Sequence, residues 1–357
     1  MPDAKRPDSK KPKTRTVPSY LKMVLSLIGL LLSMGLSWAY GTGDLGFWDL
    51  WRVYLDSSSG LEQAEQAALI LFSIRAPRVV LAMLCGAASA AAGVISQGLF
   101  RNDLATPTLL GVSQGAALAA ILVFYMSSLW LQPLLLPLAA LGGAFLSSSL
   151  IFALSWSSRG DTASGKSLLL SGCALSSLLS AVASLFLSFL LSDWEKAAAL
   201  LHWLMGSFSG RSWEHVALSA VLFVPGTVLA MSLSSRLDLL SFGEPWAKSL
   251  GVAIPRLQFL CILSISVLEA VSVVGAGSLP FVGLIVPHLN RMLLGSKHRP
   301  LLVFSLINGM TLALLADTCA RFLFAPREIE VGILTSLLGA PFFLFILRKK
   351  LDGTTSP

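Results

Sequence analysis

The chain has 357 residues, of which 55% are hydrophobic and only 13% are charged, and its formal net charge is +7. A soluble domain carries about 25% charged residues, so this composition excludes an ordinary soluble protein and indicates that lipid is the solvent. The four cysteines form no C-x-x-C pair and the four histidines are scattered. Neither set therefore suggests a metal site, and we expect the cysteines to be free buried thiols.

Residues 1–20 form a basic tail that we predict to be cytoplasmic. The apolar run 21–39 follows this tail, which raises the possibility of a secretory signal peptide. The run exceeds the roughly 7–15 residues of a signal-peptide core, and no A-x-A cleavage site follows it. We therefore predict that 21–39 is the first transmembrane helix.

Apolar runs of about twenty residues recur from there to residue 347. Each matches the roughly 30 Å hydrocarbon thickness of a bilayer at about 1.5 Å per helical residue. The runs lack the period-two alternation of barrel strands, so helices are predicted. The predicted spans are 21–39, 76–98, 107–125, 133–155, 168–191, 214–233, 257–274, 278–294, 301–319 and 331–347. The predicted fold class is all-α, a polytopic membrane protein of about ten helices in a single transmembrane domain, 21–347.

The charges and loop lengths predict an orientation. With the amino terminus inside, most of the 26 Lys and Arg residues fall on the inner side. The positive-inside rule therefore places both termini, including the tail 348–357, in the cytoplasm. Outside, 41–73 and 192–213 are longer than turns, and the second segment is predicted to hold a short helix. Inside, only the loop 234–256 is large enough to fold locally.

The small-residue content of the spans predicts close packing. Gly, Ala and Ser recur in 86–93, 111–115 and 171–180. Small side chains let helix backbones approach each other where no hydrophobic force separates helix from lipid. A tightly packed bundle is expected, and ordinary packing accounts for each G-x-x-x-G.

One motif conflicts with its surroundings. Gly160, Gly165, Lys166 and Ser167 spell G-x-x-x-x-G-K-S, the phosphate-binding P-loop pattern. A working P-loop needs a buried strand that leads into a helix within an α/β domain. Here predicted membrane helices lie on both sides, so we interpret the motif as a short cytoplasmic turn. Any ATP used would act on a partner.

Two acids, Glu269 and Asp317, fall within predicted spans. A charge in lipid is costly and often functional, so proton coupling is one hypothesis. The alternative, which we favour, is that each acid lies near a helix end, within reach of water or a neighbouring arginine. Asp317 fits this alternative because Arg321 follows at i+4.

Four arginines stand at the outer ends of spans, although the chain keeps most cations inside: Arg75, Arg78, Arg321 and Arg327. This exception suggests an external acidic partner, because the planar guanidinium pairs with a carboxylate through two bonds. Anchoring to phospholipid headgroups is the alternative interpretation.

Several motifs in register resemble one family. In the first half they are Arg75-Ala76-Pro77-Arg78, Gly93, Gln97, Arg101-Asn102, Leu104-Ala105, Pro107 and Leu110-Gly111-Val112. In the second half they are Trp203, Gly206-Ser207, Trp213, Gly243-Glu244, Ala247, Leu250-Gly251, Phe281 to Leu284, Pro287-His288, Arg291, Asp317, Arg321, Val331-Gly332 and Gly339 to Pro341. Together, over about 70–347, they resemble the FecCD-type permeases, the membrane subunits of importers for iron–siderophore complexes, haem and cobalamin.

The resemblance implies an assembly. It would contain two copies of a cobalamin-importer-permease-like bundle around a central path, two cytoplasmic ATPase subunits, and a periplasmic or surface-tethered binding protein. By the resemblance, Arg75, Arg78 and Arg321 meet acidic side chains of the binding protein. The ATPase-coupling residues are Gly243, Glu244, Ala247, Leu250 and Gly251. Residues that narrow the path as a gate are Asn102, Leu104, Ser164 and Ser167.

The favoured function is the permease subunit of a binding-protein-dependent importer in the bacterial inner membrane, carrying an iron–siderophore complex, with cobalamin or haem as alternatives. We expect no catalytic residue, metal or cofactor in this chain, because ATP and Mg would bind the partner ATPase. Lipid is an expected partner and nucleic acid is not. A proton-coupled transporter through Glu269 or Asp317 is the second hypothesis. A membrane enzyme is third, because no span holds paired carboxylates or an H-E-x-x-H motif.

Overall fold

A computed structural model describes residues 18–40, 47–55, 61–126, 132–155, 165–323, 325 and 327–354. Its α-helices, in chain order, are α1 (Ser19–Ala39), α2 (Phe47–Leu55), α3 (Leu61–Ala68), α4 (Ala76–Phe100), α5 (Val112–Met126), α6 (Gln132–Ser155), α7 (Gly165–Leu190), α8 (Trp194–Met205), α9 (Trp213–Leu240), α10 (Glu244–Ser249), α11 (Ile254–Ala276), α12 (Val282–Leu294), α13 (His298–Phe322) and α14 (Val331–Thr354). Within the described ranges no strand occurs.

The all-α, polytopic prediction is confirmed. Each of the ten predicted spans coincides with a helix: α1, α4 to α7, α9 and α11 to α14. Eight helical segments of the described chain are long and apolar enough to cross a membrane, and α5 and α12 are shorter apolar helices. The protein is therefore a multi-pass membrane protein.

Some helix bounds differ from the prediction. Helix α9 continues to Leu240, so the loop that follows it is shorter than 234–256. Helix α12 begins only at Val282, because Phe281 has a left-handed backbone with φ 65°. A 3₁₀ turn at Pro107–Leu110 precedes α5. Hydropathy depends on whether a residue is apolar and not on its backbone conformation. An apolar turn at the end of a helix is therefore predicted as part of the helix.

The segments predicted outside the membrane also contain helices in their described parts. Helix α3 continues through a π-helical stretch, Leu69–Arg75, directly into α4. Helix α8 begins at Trp194, where the side chain of Asp193 caps it by accepting from the Lys196 backbone N–H. The short helix predicted within 192–213 is thus confirmed.

Helix α4 lies at the centre of the bundle and packs against α9, α11, α12 and α13. Gly86 of α4 faces Gly309 of α13, and a Cβ added at Gly86 would overlap the Gly309 carbonyl oxygen. Gly93 meets Gly283 of α12 in the same way. Backbones therefore touch without side chains between them, which confirms the packing that the small residues predicted.

The expectation that all four cysteines are buried is wrong for two of them. Cys85 and Cys261 are buried, whereas Cys173 and Cys319 lie on exposed helix faces. A cysteine in an apolar run of a membrane protein can lie in the core or on the outer face of the bundle, because the outer face is apolar as well.

Candidate functional site

Helix α4 runs between the two ends of the bundle at which most of the predicted functional residues lie. At one end of the bundle, α4 begins and α13 ends. The predicted docking residues at this end are Arg75, Arg78 and Arg321, and we call it the arginine end. At the other, α4 ends at Phe100 and α10 follows α9; we call it the α10 end.

Arg78 is held by two carboxylates. Its Nε and Nη2 donate to Asp317 at 3.1 and 2.9 Å, and Nη2 also donates to Glu328 Oε2 at 3.0 Å. The Asp317 side chain is fully buried, whereas that of Glu328 is 28% exposed. The two charges of Arg78 and Asp317 therefore neutralise each other inside the bundle.

Arg321 and Arg75 tie α1 to this pair. Arg321 Nε lies 3.1 Å from Asp317 Oδ2, and its other nitrogens donate to the Tyr40 carbonyl and the Ser37 hydroxyl. Arg75 donates to the Trp38 carbonyl at 3.3 Å. The expectation that Asp317 lies within reach of a neighbouring arginine is correct, and Arg78 and Arg321 both contact its carboxylate.

The three arginines are buried and bonded within the chain. Arg327, by contrast, is exposed. Contact of the arginine end with an external partner stays a prediction, and the internal bonds set a condition on it: an incoming carboxylate has to compete with one already present.

At the α10 end, a short helix is held on the bundle by one small residue. Ala247 is fully buried against α9 and α11, and Gly243 and Gly251 on either side have positive φ values of 111° and 82°. Only glycine adopts such values without strain. Glu244 Oε1 lies 3.8 Å from Arg101 Nη2, just after α4. The five predicted coupling residues thus form one compact unit.

Sequence reasoning missed the exposed side of this unit. Phe242, Trp246 and Leu250 are 74%, 68% and 60% exposed. Trp246 lies on α10 and Leu250 directly follows the helix four positions later, so these two share one side. Phe242 precedes Gly243 at the start of the unit. Large apolar residues at this spacing in an otherwise polar loop were the signal that could have revealed the surface, which we call the α10 face.

The turn after α4 holds two of the predicted gate residues. Arg101 has a left-handed backbone, and Asn102 Oδ1 accepts a hydrogen bond from the Leu104 N–H at 3.1 Å. Asp103 pairs with Arg291 of α12 at 3.2 Å. Ser164 lies outside the described residues, and Ser167 donates to the Ser155 carbonyl between α6 and α7. The gate assignment stays a prediction.

A series of four cavities joins the two ends. The first, of about 310 Å³, is lined by Trp203, Arg211 and His215 and lies at the arginine end. It shares Trp203 and Val273 with a second of about 240 Å³, which shares Gln114 and Val273 with a third of about 430 Å³. The third shares Leu104 with a fourth of about 420 Å³, next to Asp103. Neighbouring cavities thus share wall residues, and the four form a series between the two ends.

Among the described residues, Glu269 is the one charged side chain that lines the third cavity. It lies about two turns before the end of α11, and no ion pair to it occurs in the described part of the chain. Glu269 therefore has no arginine partner among the described residues, unlike Asp317. The other part of the expectation, that Glu269 lies within reach of water, stays a prediction.

The P-loop pattern begins outside the described residues. Its last three residues, Gly165 to Ser167, form the start of the long apolar helix α7, and α6 ends at Ser155 before it. Membrane helices therefore lie on both sides of the motif, as predicted, but Gly165 to Ser167 belong to α7 and not to the short turn that we predicted there.

Comparisons with known proteins agree with this geometry. The model of the FecCD transport family matches residues 27–349. The hemin transport system permease HmuU of Yersinia pestis is 37% identical over 329 residues, covering 91% of this chain and 96% of the relative. The molybdate import permease MolB of Haemophilus influenzae is 36% identical over 340 residues, covering 94% and 98%.

Further relatives are named for other cargo. They are an Fe(3+) dicitrate permease of Escherichia coli, 37% identical with 84% and 90% covered, and a vitamin B12 import permease of Vibrio parahaemolyticus, 38% identical with 85% and 89% covered. A solved metal-chelate type ABC transporter in an inward-facing conformation superposes with a TM-score of 0.78 at 34% identity, covering 92% of this chain and all of that one.

Proposed function

Because this chain belongs to the FecCD transport family and is an ABC importer permease, we propose that it carries a metal chelate, with an iron–siderophore complex as the favoured cargo. The series of cavities from the arginine end to the α10 end is the observation that carries this proposal. Cobalamin and haem are the alternative cargoes.

The walls of the path favour a chelate over a bare metal ion. Val273, Ser113, Leu104 and Pro280 are small or apolar, and Glu269 is the one carboxylate among the described residues that line the third cavity, so the wall offers few ligands to a cation. A chelate brings its own ligands and needs only room and weak contacts. Relatives named for hemin, molybdate, vitamin B12 and Fe(3+) dicitrate are 36–38% identical, so identity does not rank the cargoes.

We further propose that the α10 end faces the cytoplasm and binds the ATPase subunits. The α10 face offers three large apolar side chains that could bury against a partner, and Ala247 fixes the helix that carries them. ATP-driven closure of the ATPases would move α10 with them and change which side of the path is open. Two copies of the chain would form the membrane part of the transporter, and the ATPase subunits would complete it.

The arginine end would then receive the binding protein. Glu328 is the more exposed partner of Arg78, so a carboxylate of the binding protein would replace Glu328 more easily than Asp317. Arg327 lies exposed nearby in sequence and is free to meet an acid directly. Docking would thus exchange one ion pair for another, at little net cost in free energy.

The test is ATP hydrolysis and cargo uptake in lipid vesicles. The chain would be measured alone, then with the ATPase encoded beside it, and then with the neighbouring binding protein. Hydrolysis only in the assembled complex, with uptake that needs the binding protein, is the expected result. Hydrolysis by the chain alone would contradict the proposal and would revive the P-loop interpretation of Gly160 to Ser167.

A proton-coupled transporter is the second candidate, and the place of Glu269 in the third cavity favours it. This candidate predicts uptake that follows a proton gradient without ATP. Uptake that needs ATP and persists when the gradient is collapsed would exclude it.

A further inference from the structure

The first cavity of the path contains a cation that the functions above do not use. Arg211 lies in the segment between α8 and α9 and lines this cavity of about 310 Å³ with His202, Ser209 and His215. Its Nε is buried and has no hydrogen-bond partner in the described chain. No carboxylate of the described residues forms an ion pair with Arg211, in contrast to Arg78 and Arg321.

The neighbouring acids do not neutralise this charge. Glu330 is bonded to His202 at 3.1 Å. Glu214 interacts electrostatically with His215. It is exposed and forms no ion pair with Arg211 among the described residues. Burial lowers the pKa of Arg211 from its ordinary value, yet a guanidinium stays charged at any physiological pH. Among the described residues that line the cavity, Arg211 is the one with a permanent charge.

An unpaired guanidinium in a low-dielectric site raises the free energy of the folded chain. An anion that enters the cavity would remove this cost and form charge-assisted hydrogen bonds to the guanidinium. A carboxylate or a tetrahedral oxyanion suits its planar set of donors. The energetics thus favour an anionic ligand.

The position of the cavity indicates where the ligand comes from. The indole of Trp213 donates to the Phe72 carbonyl at 2.8 Å, which places this region beside the start of α4 at the arginine end. The cavity also shares Trp203 and Val273 with the next one along the path. A small molecule that enters the path would pass Arg211.

We propose that Arg211 forms an anion-binding subsite at the mouth of the path, which takes a carboxylate or oxyanion group of an anionic metal chelate. Ser209 and the two histidines would supply further polar contacts. The identity of the ligand as cargo rests on the proposed import function, but binding of the anion does not.

The experiment uses the full-length chain in lipid nanodiscs. Phenylglyoxal would modify accessible arginines, and mass spectrometry of the peptides would measure modification at Arg211, with the exposed Arg52 as internal control. Ferric citrate and molybdate, added separately, are the anionic probes, and a neutral ferric trihydroxamate is the uncharged control. We expect at least one anion to reduce modification of Arg211 several-fold, with Arg52 unchanged and no protection by the neutral chelate.

Direct binding of the protecting anion would then be measured on variants. Arg211→Gln should weaken it by about tenfold or more, the loss expected for a charged hydrogen bond, Arg211→Lys should weaken it less, and Arg52→Gln should leave it unchanged. Any one of four results would overturn the proposed subsite. They are no reaction of phenylglyoxal at Arg211, no protection by either anion, equal protection by the neutral chelate, and unchanged anion binding by Arg211→Gln. If Arg211→Gln fails to fold, protection of Arg211 from phenylglyoxal in the unsubstituted chain decides whether the subsite exists. ATP-driven uptake tests the import function separately, so either can fail while the other stands.

Discussion

At the scale of single residues, the arginine end shows what one buried carboxylate does. Asp317 bonds both Arg78 and Arg321, and those arginines in turn bond α1 and Glu328. The contact to Arg321 could be predicted from the i+4 spacing in one helix. The contact to Arg78 could not, because 239 residues separate the partners in sequence. Local spacing is visible in a sequence, whereas helix pairing is not.

Replacement of Asp317 by Asn should destabilise the chain. The amide keeps the volume of the side chain but removes the charge, which leaves Arg78 and Arg321 with too little negative charge nearby. Breaking a buried pair on one side costs about 3–5 kcal/mol. A thermal unfolding midpoint well below that of the unsubstituted chain, measured in lipid, is the expected result.

Arg327→Gln is the matched control, because Arg327 is exposed near the same end. Its unfolding midpoint should stay unchanged. Equal midpoints for Asp317→Asn and Arg327→Gln would show that the buried network contributes nothing to stability.

At the scale of helices, the sequence predicted all ten spans but not what their ends do. Apolar length gives a span directly. The π-helical junction before α4 and the left-handed turn at Phe281 follow from tertiary packing, which outweighs local preference. For the same reason the exposed side of α10 was missed, while the glycines around it were found by resemblance.

The α10 face should bind the ATPase through its aromatic residues. Trp246→Ala would remove a 68% exposed indole without disturbing the buried Ala247. Aromatic side chains at the centre of an interface commonly contribute 2 kcal/mol or more, as a rough guide. We expect the variant to lose at least about tenfold in affinity for the ATPase, measured by co-purification or biolayer interferometry.

Trp194→Ala serves as the control for this variant. Trp194 is 74% exposed at the start of α8 and outside the α10 face. It should bind the ATPase like the unsubstituted chain. A Trp246→Ala variant that binds equally well would exclude the α10 face as the docking surface.

The crossing of α4 and α13 should tolerate no added methyl group. Gly86→Ala would place its Cβ against the Gly309 backbone and Ala313, so the two helices would have to separate. Such overpacking costs about 1–3 kcal/mol. A lowered unfolding midpoint and reduced yield of folded protein are expected.

Gly142→Ala is the matched control within a membrane helix, because an added Cβ there meets open space. It should be neutral or slightly stabilising, since alanine favours helix over glycine. If both substitutions lowered the midpoint equally, loss of glycine itself, and not the crossing, would be the cause.

At the scale of the whole molecule, the family resemblance and the charge distribution predicted the class of protein, while the path became visible only in three dimensions. Its lining comes from helices and turns far apart in sequence, including Leu104, Gln114, Trp203 and Glu269. Arg211 was overlooked because a single arginine in a loop carries no pattern. The substrate cannot be read from such a lining, since small apolar walls suit many chelates.

Glu269→Gln should leave ATP-dependent uptake intact in the assembled transporter. An importer driven by an ATPase needs no proton carrier, and the amide keeps the shape and polarity of the cavity wall. Uptake by this variant and by the unsubstituted complex would be compared with and without a protonophore. A selective loss of uptake in Glu269→Gln, matched by protonophore treatment of the unsubstituted protein, would instead support proton coupling.

The contact of Gly86 with Gly309 also limits how the bundle can move. Two backbones in direct contact cannot slide past each other by one residue, because Ala90 and Ala313 already occupy the adjoining positions. Asp317 fastens the same two helices at the arginine end. Helices α4 and α13 should therefore exchange their amide hydrogens most slowly and keep their relative position throughout a transport cycle. The motion that opens one side and closes the other must then take place in the helices that surround this fixed pair.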